Sequence, residues 1–139
     1  MNYSEFLFQL FCNLKVLYQK NLKLPNISFQ HILAIANIDD EGLEMSSLSK
    51  TLGIDNSTGT RLIDGLETKG LVRRVRDKLD SRIVKIFLTS RGRKIYTSIE
   101  FQLEKIGNKI ENKNNLKTKE ELLELGISLN WAITKFLNK

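Results

Sequence analysis

From Leu7 to Tyr18 the apolar residues recur at spacings of three and four. Leu7, Leu10, Phe11, Leu14, Leu17 and Tyr18 form one stripe, which predicts a helix over residues 4–20. Phe6 and Phe8 fall off that stripe. A helix with apolar groups on two faces needs two burial partners, here the chain's own core and a second subunit. The only proline, Pro25, sits in a short Lys-Leu-Pro-Asn break. Ser28 to Ile38 then predicts a second helix, with Ile32, Leu33, Ile35 and Ala36 inward, ended by the run Asp39 to Gly42. Ser46 to Leu52 reads as a short helix stopped by Gly53. Asp55 or Asn56 can cap the next helix, which runs to about Lys69 and stops at Gly70.

At Leu71 the period changes. Leu71 to Arg76 and Arg82 to Leu88 have strand character, carried by Val72, Val75, Ile83, Val84, Ile86 and Phe87, and residues 77–81 join them as a hairpin tip. Thr89 to about Lys113 is a long helix with Ile95, Ile99, Leu103, Ile106 and Ile110 on one stripe, broken by Asn112 to Asn115. Thr118 and Glu121 have the spacing of a capping box. The last helix follows, with Leu122, Leu125, Leu129, Ile133, Phe136 and Leu137 on its buried side. A short helix, a tight turn, a second helix and a two-stranded ribbon are the layout of a winged helix-turn-helix. The expected fold is therefore mainly α with a small β-hairpin wing, flanked by N- and C-terminal dimerisation helices. The expected organisation is a single domain over 1–139, with dimerisation helices in 1–27 and 110–139 and the winged helix-turn-helix in 28–94.

Charge sharpens this picture by its placement. Residues 50–94 hold twelve Lys or Arg and five Asp or Glu, a net +7, while the rest of the chain holds ten and eleven, a net −1. Such asymmetry points to a polyanionic partner; the plainer reading is a soluble basic surface. No run of apolar residues reaches the ~20 needed for a transmembrane helix. The start, Met1 to Phe11, lacks a basic leader and a small-residue cleavage site, so it is read as part of the fold. A single cysteine cannot form an internal disulfide, and the expected compartment is the cytoplasm.

The run from Leu48 to Gly92, LSKTLGIDNSTGTRLIDGLETKGLVRRVRDKLDSRIVKIFLTSRG, resembles the MarR family of bacterial and archaeal regulators. Three segments carry the resemblance: the short helix LSKTLG, the pattern STxTRLIDxLExKGLVRR, and the hairpin pattern DxxDxRxxxxxLTxxG in register behind it. The resemblance implies a two-fold homodimer whose first and last helices interlock. It also implies one winged motif per subunit on a palindromic site and, in many members, control by a small-molecule effector. It implies a role for two wing residues as well. Arg82 matches the arginine that reaches into the minor groove, and Asp80 matches the acidic residue that orients it.

A major groove admits one α-helix, whose N-terminal residues reach base edges. Those positions are Ser57, Thr58, Thr60 and Arg61; Arg61 can pair in bidentate fashion with guanine. For Ser57 simple helix capping is the competing reading. Leu62, Ile63 and Leu66 are expected to pack inward. Arg73, Arg74, Arg76 and Lys78 surround the ribbon as phosphate ligands, against the alternative of a solvated charged hairpin. The expected partners are thus double-stranded DNA, a second copy of the chain and a small-molecule effector, with no membrane.

Two glycines depart from the family pattern. Gly59 sits where the family places Val or Ala facing the core, and Gly65 interrupts the exposed side of the same helix. Each costs ~1 kcal/mol relative to Ala. Either the helix frays when free, or its backbone comes close to another helix or to DNA. Cys12 lies among Leu10, Phe11 and Leu14, with no Lys, Arg or His within two positions, and is read as a buried structural residue. One His (His31) and one Cys cannot supply a zinc set within a subunit, so His31 is expected at a helix surface or an interface, and no metal or cofactor is expected. Trp131 is expected in the dimer core or lining a ligand cavity, and Met45 at the edge of the short helix. An enzyme would need convergent acid–base or nucleophilic groups, which this composition does not offer. The alternative to a sequence-specific regulator is a winged-helix module for protein contact without tight DNA binding.

Overall fold

Capping chemistry sets the helix starts. Asn2 accepts from the Glu5 amide at 2.9 Å while Glu5 accepts from the Asn2 amide at 3.0 Å, opening α1 (Tyr3–Asn21). The computed structural model describes residues 1–113 and 118–139. Ser28 caps α2 (Phe29–Ala36), and a two-residue strand β1 (Leu43–Glu44) runs directly into α3 (Met45–Leu52). Asp55 caps α4 (Asn56–Thr68). The ribbon β2 (Val72–Arg76) and β3 (Val84–Leu88) leads into α5 (Ser90–Glu111), and Thr118 with Glu121 caps α6 (Lys119–Leu137). Of the break expected at Asn112 to Asn115, Asn114 and Asn115 lie outside the described residues; α5 ends at Glu111.

Residues 1–103 form one compact unit and residues 104–139 a second. In the first unit the core is built from Ile32, Ala34, Ile35 and Ile38 around α2, Leu48 of α3, Ile63 and Leu66 of α4, Leu71, Val72 and Ile86 of the ribbon, and Ile99 of α5. Ala34 and Ile38 were not among the expected inward residues; Leu33 and Ala36, which were, are half-buried. The sheet has three strands rather than two, in the order β1-β3-β2, all antiparallel: Leu43 pairs with Ile86, and Arg74 pairs with Ile86 from the other side. Two residues carry no period of their own, so β1 exists only because β3 offers it an edge.

Behind the wing, the Thr89–Gly92 spacing has a direct physical reason. The Thr89 hydroxyl donates to the Gly70 carbonyl at 2.6 Å and accepts from the Gly92 amide at 3.1 Å. A Cβ at Gly92 would lie 2.0 Å from the Leu71 carbonyl oxygen, so only glycine fits. At the opposite end of the unit, the Gln102 side-chain amide pairs with both backbone groups of Lys23, at 3.0 and 2.9 Å, tying the segment after α1 to α5. That segment turns at Pro25, with Asn26 at φ 62, and is closed by a bridge between Leu24 and Ile27.

The terminal helices depart from the expected burial. On α1, Leu7, Leu10, Leu17 and Tyr18 are half-buried, but Phe11 and Leu14 of the same stripe are exposed, as are Phe6 and Phe8. Cys12 is half-buried rather than buried. In the second unit Ile106 is buried, yet the stripe expected to be the buried side of α6 is exposed except for half-buried Leu129. Trp131 and Phe136 are 63% and 73% exposed. Among the described residues, these faces stay largely open to solvent.

Candidate nucleic-acid interface

The α4 N-terminus is organised by Asp55. Its Oδ1 accepts from the Thr58 amide and from the Ser57 hydroxyl, each at 2.7 Å. These bonds, the Thr58 backbone bond foremost, hold the Asp55 carboxyl down to about 2, with the Arg61 charge adding a little. Ser57 is therefore part of the cap. The Thr60 hydroxyl donates to the Asn56 carbonyl at 2.9 Å, and its oxygen keeps acceptor capacity. Ser57, Thr60 and Arg61 are exposed, Thr58 is half-buried, and Ile63 and Leu66 are buried behind them with Leu62 half-buried.

The two glycines of α4 have separate explanations, and neither is the exposed side of the helix. Gly59 is buried, and a Cβ there would fall 2.2 Å from Ser49 Oγ on α3. Gly65 is half-buried, and a Cβ there would meet His31 Nε2 at 3.1 Å. Close helix approach is the reason at both positions. His31 itself is half-buried, and its Nδ1 lies 3.0 Å from Ser28 Oγ. Burial first, and the Lys69 charge second, lower its pKa. Among the described residues no three His, Cys, Asp or Glu side chains gather into a metal-binding group, and no helix is long and apolar enough to cross a membrane.

The wing tip is built from two aspartates. Asp77 Oδ1 accepts from the amides of Leu79 and Asp80, at 2.8 and 2.9 Å, closing a side-chain-capped turn that holds its carboxyl below the ordinary range. Asp80 then grips Arg82 as a fork: Oδ1 accepts from Nε at 3.0 Å and Oδ2 from an η nitrogen at 3.1 Å, while Oδ1 also accepts from the Arg82 amide. The pair lowers the Asp80 pKa and raises that of Arg82. Arg82 is nevertheless 89% exposed, so its outer edge stays available. Leu79, between the two aspartates, is 99% exposed. Sequence reasoning passed over it, because one apolar residue in a polar tip carries no period.

The basic residues of the ribbon divide by strand alternation. Arg73 lies over the Phe87 ring at 4.9 Å, its cross-strand partner. Arg74 is bound to Asp64, Glu67 and the Thr60 carbonyl of α4. Arg76 donates to the Ser81 carbonyl across the hairpin, and Lys78 is exposed at the tip. Thr60, Asp64, Arg74, Arg76 and Arg82 line one open groove between α4 and the wing, about 480 Å³ in volume, whose floor and rim include Met45 and Asn56. The structure thus brings the exposed side of α4 and the wing arginines to one surface, with Arg73 placed on the sheet's other face. Asn56 was weighed only as a cap, and Met45 only as an edge residue; their place on this groove depends on β1 drawing α3 alongside the ribbon.

This arrangement has relatives. The sequence matches the MarR family over residues 26–83. It is 34% identical over 109 residues to the HTH-type transcriptional regulator SarZ of Staphylococcus epidermidis, covering 78% of this chain and 70% of that protein. This chain belongs to the MarR family. Another relative, the HTH-type transcriptional regulator TtmR of Methylorubrum extorquens, is 41% identical over 64 residues, covering 46% of this chain but only 33% of its own length. Among solved structures, Streptococcus pneumoniae FabT in complex with DNA superposes with a TM-score of 0.72 at 29% identity, over 97% of this chain and 94% of that one. A MarR-family fold accounts for the three-stranded sheet as well as for the helices, and the family match ends at Ile83, just past the Asp80–Arg82 fork.

Proposed function

We propose that the chain is a sequence-specific double-stranded DNA-binding transcription regulator, a ligand-responsive repressor acting as a cytoplasmic homodimer on a palindromic operator. The observation that carries this reading is the Asp80–Arg82 fork, held at a rigid tip and opening on the same groove as the exposed side of α4. An arginine pre-oriented in this way enters a narrow minor groove with little ordering left to do, while a helix N-terminus addresses the adjacent major groove. Ser57, Thr58, Thr60 and Arg61 are the base-side candidates, and Arg76 and Lys78 the phosphate-side ones. The net +7 of residues 50–94 supports a polyanionic partner.

The exposed aromatic and aliphatic residues of α1 and α6 support the homodimer, since apolar faces this extensive are rarely left in water. The effector and the repressor role rest on family membership alone. The test is selection from a random duplex pool, followed by binding of the selected site across a salt series. Two chains per duplex, an inverted repeat in the selected sequences and a log–log salt slope of several units are expected. Failure to enrich any sequence, or a flat salt profile, would overturn the reading.

A further inference from the structure

Arg74 sits among the residues expected to hold phosphates, but its bonds run the other way. It projects from β2 toward α4, where one η nitrogen donates to Glu67 Oε1 at 3.1 Å and the other to Asp64 and, at 3.4 Å, to the Thr60 carbonyl. Residues 60, 64 and 67 follow the i, i+4, i+7 spacing of a single helix face, so the planar fork spans two turns of α4. The Arg74 side chain is only 30% exposed, and the other wing cations on this groove, Arg76 and Arg82, make their bonds within the hairpin. Among the described residues, Arg74 provides the ion pairs between wing and recognition helix.

We infer that Arg74 is a positioning residue that clamps the wing to the recognition helix and offsets part of the charge of two carboxylates on that helix, Asp64 and Glu67. Two consequences follow from the chemistry. The fork fixes the outer, solvent-facing separation between α4 and the strand leading to the Arg82 tip, on top of the core packing of Ile63 and Leu66 near Val72 and Ile86. It also reduces the negative charge of Asp64, which lines the groove, and of neighbouring Glu67, and that charge would otherwise repel phosphate more strongly. Both η nitrogens already donate to α4 and the side chain is mostly buried, so it is a poorer candidate for a phosphate ligand than Arg76 or Lys78.

The functional part of this inference rests on the DNA-binding reading; the clamp itself does not. The experiment measures operator binding for Arg74→Gln in the wild-type background and in Asp64→Asn/Glu67→Gln, each across a salt series. Loss of at least tenfold in the first background, shrinking to threefold or less in the second, with an unchanged salt slope, is the expected result. An equal loss in both backgrounds, with the slope falling by about one unit per subunit, is the signature of a phosphate contact and would overturn the inference. Amide hydrogen exchange without DNA gives the second readout. Arg74→Gln should speed exchange in β2 and β3, and adding the two carboxylate substitutions should speed it no further; unchanged exchange would overturn the clamp. If the wild type binds no duplex, the DNA reading fails and the exchange measurement still decides the clamp.

Discussion

Gly59 of α4 lies directly over Ser49 of α3: a Cβ on the glycine would stand 2.2 Å from the serine Oγ and 3.4 Å from its Cβ. Ser49 Oγ is buried without a hydrogen-bond partner among the described residues. The pair is a close-packed helix crossing with one atom too many for any larger residue. Gly59→Ala gains about 1 kcal/mol of helix propensity but overpacks the crossing, at a cost of about 1–3 kcal/mol. The single variant should therefore be less stable than wild type in chemical denaturation. Ser49→Ala removes the clashing oxygen and a buried hydroxyl with no partner. Combined with Gly59→Ala it should restore stability to wild-type level or above. A double variant no better than Gly59→Ala alone would show that the crossing is not limited by that oxygen.

Asp55 links stability to acid. Its carboxyl lies at about 2 against an ordinary 3.8, so the folded state favours the ionised form. A depressed carboxyl stabilises fully above its unfolded value and loses that contribution as pH falls through the folded one. The Asp55 contribution should be complete above about pH 4 and fade toward pH 2. Asp55→Asn keeps a capping oxygen but does not titrate. The melting-temperature difference between wild type and Asp55→Asn should shrink over that window. A difference constant from pH 6 to pH 2 would contradict the cap's ionic character.

Arg82 and Arg61 should fail in different ways. Arg82→Ala should weaken binding to many duplexes, most of all those with A·T-rich flanks, because narrow minor grooves attract cations without fine discrimination. Arg61→Ala should cost about 1–3 kcal/mol at one base and relax preference there. Measuring both against an operator and its single-base variants at one salt concentration separates the roles. Uniform loss in Arg61→Ala would make it a phosphate clamp, and an unaffected Arg82→Ala would remove the wing from the interface.

The exposed rings of α6 give a direct test of assembly. Trp131→Glu with Phe136→Glu places charge on the face proposed to meet the partner. Sedimentation should then show monomers at concentrations where the wild type is dimeric, with operator affinity falling accordingly. Persistence of the dimer would place the interface elsewhere.

Much of this molecule was legible in advance because its helices announce themselves. Ser28, Asp55 and the Thr118–Glu121 pair cap where their side-chain chemistry predicts, and Asp80 and Arg82 meet as the family pattern implies. What escaped was information held between elements. The strand at Leu43–Glu44 is too short to show alternation. Gly65 reads from the sequence as an interruption of an exposed face, whereas His31 of α2 lies against it. Arg73, Arg74 and Arg76 read alike as a basic run, yet one stacks on Phe87, one binds α4 and one closes the hairpin. Period says which residues share a face, but not what waits across from it.

Among the described residues, the strand order β1-β3-β2 leaves β2 at the sheet's margin, with no strand beyond it. Open margins of this kind invite a strand from another molecule, and charged side chains are a common guard against it. The segment Val72-Arg73-Arg74-Val75-Arg76 carries three such guards in five positions. Stripped to alanine, it would lose these guards and leave a short, uncharged edge open to pairing copy to copy. Arg73, Arg74 and Arg76 thus guard the wing edge against polymerisation, whatever each of them contacts on its own face. Variants meant to silence binding will stay in solution only if some charge remains on that strand.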